Sequence, residues 1–421
     1  MRLTVKDINI ANGISTDSRT LLPGETFFAL KGDNHDGHDH LEEAVLRGAG
    51  TLVVSSEPKV PEGFAGGVVA VSDTLRAYQD LAAYYRRKLN PLVIAVTGSV
   101  GKTTLKDMIA CILSGSGRRA HYTKGNYNNQ VGLPKTILSA EEGTEVLVLE
   151  MGMDHAGQIE RLADIARPDV CVITNIGVSH RENFDSDDGI LKAKFEVAAY
   201  LGPGDTLVID ADGSAELKAL AAGDSKRKGY EVVYVTEKIE VPASGAYAER
   251  SAAMAAACCA KAGITAAEAA EALKKLKRTP HRLEGITGKY GAVVIDDSYN
   301  ASPDSVRSGL EYLAGVPAKR RIAVLADMNE LGADSAEMHY AAGALAAEVA
   351  DIVYAYGENE KAGEMFSGAS GLPYARYFPT GSKDEMIALL RENVREGDAV
   401  YIKGSRSMKM EEVAAALTEG E

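Results

Sequence analysis

The sequence predicts three α/β domains: a small N-terminal one, a central one on a doubly wound parallel sheet, and a C-terminal one on a second open sheet. Three observations carry this. The 421 residues are too many for one core, and at about 150 residues per domain they make two to four. Apolar strand-like runs alternate with helical stretches in two separate series, one after Leu92 and one after Leu283. A glycine-containing turn, residues 97–104, sits between a strand-like run and a helical one at the head of the first series.

The elements follow in order. Residues 1–88 hold short apolar runs at 26–30 (TFFAL), 51–56 (TLVVSS) and 67–73 (GVVAVSD), parted by Gly- and Asp-rich turns, as expected of a small α/β domain. LAAYYRRKLNP then ends at Asn90-Pro91, a boundary because the residue before proline resists helix. In residues 89–282 the runs PLVIAVTG, TEVLVLEMG, DVCVITNIG and DTLVIDAD are almost wholly apolar, the signature of parallel strands covered on both faces. Helices between them imply right-handed crossovers. The Ala-rich stretch Ser251–Leu273 reads as two helices broken near Gly263. Residues 283–421 repeat the alternation through AVVIDDSY, RIAVLAD, DIVYAYG, YARYF and DAVYIKGS, giving a Rossmann-like C-terminal domain.

Composition narrows the function. Hydrophobic residues at 45% and charged ones at 25% are ordinary globular usage. A net charge of −14 disfavours nucleic-acid or anionic-membrane partners. No apolar run reaches the roughly 18 residues of a membrane span, so no membrane insertion is expected. The opening MRLTVKDINIANG lacks an apolar signal core, and four cysteines without metal-ligand spacing read as reduced thiols; both suit a cytoplasmic protein.

The chemistry begins at Gly98-Ser99-Val100-Gly101-Lys102-Thr103-Thr104. Glycines let the backbone aim N–H groups at phosphate oxygens, the helix N-terminus adds its dipole, Lys102 can reach the outer phosphates and the Thr103 hydroxyl a Mg²⁺ ion. Val96 stands where the strict phosphate-loop pattern has its first glycine, so the loop is a variant. Two further strands end in polar groups: Glu150 after TEVLVLE, and Asn175 and His180 after DVCVIT. Ligands of open α/β sheets sit beyond the carboxyl ends of the strands, so Lys102, Thr103, Glu150 and His180 should converge on a Mg-nucleotide. Taken alone, His180 also reads as a plain loop histidine. In GILKAKFEVAAY, Lys192 and Lys194 cannot share one helix face, and a solvated lysine is the default for either.

The ordered series now resembles the Mur ligase family, ATP-dependent amide-bond ligases of cell-wall synthesis. It runs through Ser15-Thr16-Asp17-Ser18-Arg19, FFALKG (27–32), Asp36-Gly37-His38, TGSVGKTT, GNYNNQVGLP (125–134), LEMGMDHAGQI (149–159), ILKAKFEV, DDSYNASPDS (296–305), VLADMNELG (324–332) and KGSRSMKME (403–411), and covers most of the chain. The resemblance implies a member that joins D-alanyl-D-alanine to UDP-N-acetylmuramoyl-tripeptide through an acyl phosphate, acting as a monomer. It implies that Gly98, Ser99, Gly101, Lys102, Thr103, Thr104 and Asn129 bind ATP, joined by Arg282, Asp297 and Asn300 when the last domain closes. Thr103, Glu150, His180 and a carbamylated Lys194 would hold two Mg²⁺ ions, with Lys102, Glu150, His180 and Lys194 as the catalytic set. Ser18, Arg19, Asp36, Gly37 and His38 would bind the uridine nucleotide, and Asn126, Asn128, Lys403, Ser405 and Arg406 the remaining substrate.

One stretch departs from the family. Tyr247, Ala248 and Ser251 stand where a His and two Asn residues are usual, so adenine selectivity is expected to be weak. Two rival readings are a related ligase with another acceptor and a nucleotide-binding scaffold that has lost catalysis.

Overall fold

The computed structural model describes residues 8–32, 35–55, 60–177, 181–184, 186–242, 246–277 and 279–418. Three sheets organise them. The first joins β1 (Ile14–Ser15), β2 (Thr26–Phe28), β3 (Thr51–Ser55) and β4 (Gly67–Val71) in that order, all parallel. Its helix Thr74–Leu89 starts at an Asp73 cap and stops at Asn90, which adopts the left-handed conformation (φ 48°) just before Pro91. This helix binds the next unit as much as its own. Tyr85 donates to the Ala140 carbonyl at 2.8 Å, Gln79 donates to the Gln130 carbonyl at 3.0 Å, and Arg161 bonds both Gln79 and Asp80.

The second sheet contains β5 (Leu92–Thr97), β6 (Ala120–Tyr122), β7 (Val146–Glu150), β8 (Val170–Ile173), β9 (Thr206–Asp210) and β10 (Glu231–Val235) in the order β10-β9-β8-β5-β7-β6, all parallel. β5, β7 and β8 are buried throughout apart from Leu92, as their apolar runs require, with one core cluster on each face of the sheet. The chain leaves β5 for β6 at the edge, returns to β7 on one flank, then crosses to β8 on the other. That places the switch of direction at β5, where a crevice opens beyond the strand ends.

The third sheet contains β11 (Glu284–Thr287), β12 (Val293–Asp296), β13 (Arg320–Ala326), β14 (Ile352–Gly357), β15 (Ala375–Pro379) and β16 (Asp398–Lys403) in the order β11-β12-β16-β13-β14-β15. Five strands are parallel; β11 pairs antiparallel with β12. The apolar runs of the sequence mark only the five parallel strands. β11, β6 and β10 are short edge strands with half-exposed faces, and so lack the apolar run that marks a buried strand. The two Ala-rich helices run Ala246–Cys259 and Ala266–Leu273, parted at Gly263 (φ 78°).

Candidate active site

β5 delivers the chain into a loop that the neighbouring strand end braces. Gly98 (φ 140°) lies so close to Thr174 that a Cβ would fall 3.0 Å from the Thr174 nitrogen, and Gly101 (φ 84°) turns the chain into the helix Lys102–Gly115. The Val100 carbonyl accepts from Thr174 Oγ1 (2.7 Å) and Asn175 Nδ2 (2.9 Å), and the Val100 amide donates to Asn175 Oδ1 (3.0 Å). Ser99 Oγ accepts from the Gly177 amide at 2.7 Å, and the Ser99 amide donates to the Asn175 carbonyl at 3.1 Å. Asn175 is therefore a framing residue of the loop.

Lys102 folds across its own loop and donates to the carbonyls of Gly98 (2.7 Å) and Ser99 (3.1 Å). Burial holds its ammonium below the ordinary lysine range; Glu150 opposes that shift and Arg282 adds to it. Next along the helix, Thr103 donates to Glu150 Oε2 at 2.8 Å. The other oxygen, Oε1, accepts from Asn128 Nδ2, also at 2.8 Å. Both oxygens of a buried carboxylate at the end of β7 are thus held by side-chain donors, one of them from the first turn after the loop. Asn128, expected from the resemblance to touch substrate, holds Glu150 here. Asn129 uses its side-chain oxygen on the amides of Val131 and Gly132, at the start of the helix Gly132–Leu138.

The helix Asp187–Phe195 separates its two lysines. Lys192 is exposed and pairs with Asp188 at 2.6 Å. Lys194 is buried, with Nζ 3.4 Å from the Gly98 carbonyl. Desolvation, reinforced by Lys102, pushes its amine well below the ordinary lysine range. His180 lies outside the described residues, as does the Tyr247 side chain.

The C-terminal domain faces this loop with its own strand ends. Asp297 follows β12 and accepts from Lys403 Nζ (2.5 Å), Tyr401 (3.0 Å) and the Leu283 amide (3.2 Å). That last bond ties the linker to the domain. Arg282 lies between two residues of positive φ, His281 (60°) and Leu283 (51°), with its guanidinium 4.0 Å above the Tyr299 ring. His281 is tied by Nδ1 to Asp296 (2.7 Å) and by its amide to Glu284 (3.1 Å), so this His/Glu/Asp cluster fastens the linker to the domain. Asn300 accepts from the Arg406 amide at 3.4 Å, Ser405 Oγ accepts from the Asn329 amide at 2.9 Å, and Arg406 pairs with Glu411 at 2.9 Å.

A cleft of about 1390 Å³ joins the two sets. Among the described residues, its lining includes Ser99, Gly101, Lys102, Thr103, Thr104, Asn126, Asn128, Asn129 and Glu150 on one side. Arg282, Asp297, Asn300, Lys403, Ser405 and Arg406 line the other. Ser18, Arg19, Asp36, Gly37 and His38 are not part of this lining. In the first domain Ser18 donates to Glu43 (2.6 Å), and Arg19 pairs with Asp17 (2.8 Å). His38 is fixed at both ring nitrogens, Nε2 accepting from the Ser55 amide (2.9 Å) and Nδ1 lying 2.5 Å from Asp36.

Three family models match in chain order: "Mur ligase family, catalytic domain" over residues 11–87, "Mur ligase middle domain" over 96–258, and "Mur ligase, glutamate ligase domain" over 281–406. A curated relative from Bacillus subtilis is 36% identical over 97% of this chain and 94% of its own length. The chain belongs to the Mur ligase family. It is an ATP-dependent ligase of that family. The Bacillus relative is named UDP-N-acetylmuramoyl-tripeptide--D-alanyl-D-alanine ligase, as is one from Escherichia coli at 33% identity over 97% of this chain and 94% of its own. Among solved Mur ligases, MurF from Acinetobacter baumannii superposes with a TM-score of 0.84 at 29% identity, covering 96% of this chain and 92% of that one. MurF from Thermotoga maritima in complex with ADP gives 0.83 at 26% identity, covering 97% of both. Among the described residues no helix is long and apolar enough to cross a membrane.

Proposed function

We propose that this chain joins D-alanyl-D-alanine to UDP-N-acetylmuramoyl-tripeptide in peptidoglycan precursor synthesis, cleaving ATP to ADP and phosphate, as a cytoplasmic monomer. The observation that carries the reading is one cleft in which a nucleotide-type phosphate loop faces Lys403, Ser405 and Arg406 of the last domain. It is supported by relatives of that name matching nearly full length.

A free carboxylate is a poor acyl donor. Transfer of the ATP γ-phosphoryl group to the peptide carboxylate makes an acyl phosphate, and attack by the dipeptide amine then expels phosphate. In this reading Lys102 leaves its own loop carbonyls for the phosphate oxygens as charge grows there. Arg282 approaches from the linker, and closure of the last domain keeps water from the acyl phosphate. The donor set fits Mg²⁺: the Thr103 hydroxyl and an oriented Glu150 carboxylate are hard oxygen ligands. The ions, when bound, supply charge neutralisation and alignment of phosphates.

Lys194 fits the expected modification. Burial with a depressed pKa favours its neutral amine, whose lone pair can add to CO₂. An N–C bond forms, one proton leaves to solvent, and the product is a carbamate anion offering two oxygens. Arg19 and its neighbours remain the proposed nucleotide-sugar contacts.

A panel assay tests the reading. Phosphate release and product mass are followed for UDP-muramoyl-tripeptide with D-alanyl-D-alanine, other dipeptides and single amino acids. The expected product is the condensation of the named pair. Turnover only with another acceptor, or none with any, would overturn it in favour of one or other rival.

A further inference from the structure

Two described stretches beyond β8, residues 174–177 and 181–184, each meet the C-terminal domain at one place. At the first, Gly177 lies against Asp304: a Cβ on Gly177 would run into the Asp304 carboxylate, 2.7 Å from its Cγ. Asp304 stands in the first turn of the helix Pro303–Gly315. At the second, Gly332 (φ 61°) lies over Glu182, where a Cβ would fall 3.1 Å from the Glu182 Cα. The Glu182 amide there donates to the Glu330 carbonyl at 3.4 Å, and Arg181 reaches Asp334 at 3.5 Å.

The second contact is stiff on the C-terminal side. The chain through 327–331 is pinned where the Met328 amide donates to buried His339 Nε2 (2.9 Å) and the Ser405 amide to the Asp327 carbonyl (3.0 Å). On the central side, residues 174–177 are the brace of the phosphate loop itself. Gly177 bonds Ser99 Oγ, and Asn175 bonds Ser99 and Val100. A displacement of Gly177 therefore passes directly into the backbone on which Lys102 rests.

We propose that Asp304 is a positioning residue: by bearing on Gly177 it sets the phosphate loop through its 174–177 brace, while Gly332 on Glu182 helps hold the C-terminal domain in place, so the loop takes its working shape only when that domain is docked. This rests on the ligase reading for turnover alone; docking and nucleotide binding are read without any peptide substrate.

The test uses the full chain with Gly177→Ala, Gly332→Ala and their double variant. Gly371→Ala is the control, because a Cβ there meets nothing within 4 Å. Domain docking is followed by small-angle scattering, Mg-ADP affinity by calorimetry, and kcat and KM by phosphate release. Each seam variant should lose the compact form and about tenfold or more of kcat, since misplacement near 1 Å can cost about a hundredfold. Mg-ADP should weaken by roughly fivefold, at the low end of ordinary coupling factors. The double variant should be no worse than the worse single, because both break one docking event. Unchanged scattering with kcat within about threefold of the control would overturn the proposal. So would fully multiplicative losses, which would mark two unrelated local strains. If a glycine variant fails to fold, Asp304→Ala alone decides: it should loosen docking and weaken Mg-ADP, and wild-type values for both would refute the role.

Discussion

Removing the Asn128 side chain should weaken the use of Mg²⁺ and leave the peptide substrate's KM alone. Asn128 Nδ2 donates to Glu150 Oε1 at 2.8 Å, while Thr103 holds Oε2. In Asn128→Ala the carboxylate keeps one of its two orienting bonds. A hydrogen bond to a charged acceptor contributes about 1.5–3 kcal/mol, equivalent to roughly ten- to 150-fold. Loss of a partner that orients a metal ligand typically costs about 10–100-fold, which agrees. The backbone should hold, because the Gly152 amide bonds the Asn128 carbonyl, which alanine retains. The assay is phosphate release against Mg²⁺ concentration at saturating ATP, with KM for the UDP-linked substrate measured beside it. The Mg²⁺ half-saturation should rise by the stated factor. If it stays within about threefold while the UDP-substrate KM climbs, Asn128 is a substrate contact and the Glu150 argument fails.

Three further outcomes are expected. Lys102→Ala should abolish turnover with the melting temperature little changed, since electrostatic groups of this kind are often worth about 3–4 kcal/mol of transition-state stabilisation; retention of more than about a tenth of the rate would show that another group faces the phosphates. Isotope-labelled bicarbonate should give a carbamate signal that Lys194→Ala loses and Lys192→Ala keeps, and an active, bicarbonate-equilibrated enzyme with unmodified Lys194 would contradict it. Burial lowers His339 below its ordinary value of 6.5. The unfolded chain therefore takes up this proton first: stability is full above that value and falls as pH drops from there toward the folded value. Thermal melts across that range should slope less in His339→Gln, and identical slopes would show that His339 is not the titrating group.

GTP should support turnover within roughly ten- to a hundredfold of ATP in kcat/KM, because Ala248 and Ser251 at the positions the resemblance assigns to asparagines would leave about two neutral hydrogen bonds to the base unmade. Ala248 lines the cleft and cannot pair with a base edge, and Ser251 is buried in its helix. An ATP preference above about a thousandfold would mean that other groups read adenine.

Legibility in the sequence followed locality. The strands that place the site, β5, β7 and β8, announce themselves because burial on both faces forces nearly unbroken apolar runs. The phosphate loop is likewise local: two glycines, a lysine and a threonine between a strand and a helix. The edge strand Glu231–Val235 has no such run, since water covers part of it. What the sequence could not display is pairing at a distance. Asn128 meets Glu150 only because the loop before the helix Gly132–Leu138 folds over the end of β7. Helical spacing separated Lys192 from Lys194, but not which of them faces the core. The contact between Gly177 and Asp304 spans two domains and leaves no local mark on either residue.

The most direct test of the acyl-phosphate chemistry is to follow the oxygens of the acyl-donor carboxylate. The UDP-muramoyl-tripeptide is labelled with heavy oxygen at its terminal carboxylate and turned over with ATP and D-alanyl-D-alanine. Phosphoryl transfer to that carboxylate predicts one heavy oxygen in the released phosphate, with ADP as the nucleotide product. Phosphate free of label, or AMP and pyrophosphate as products, would contradict it.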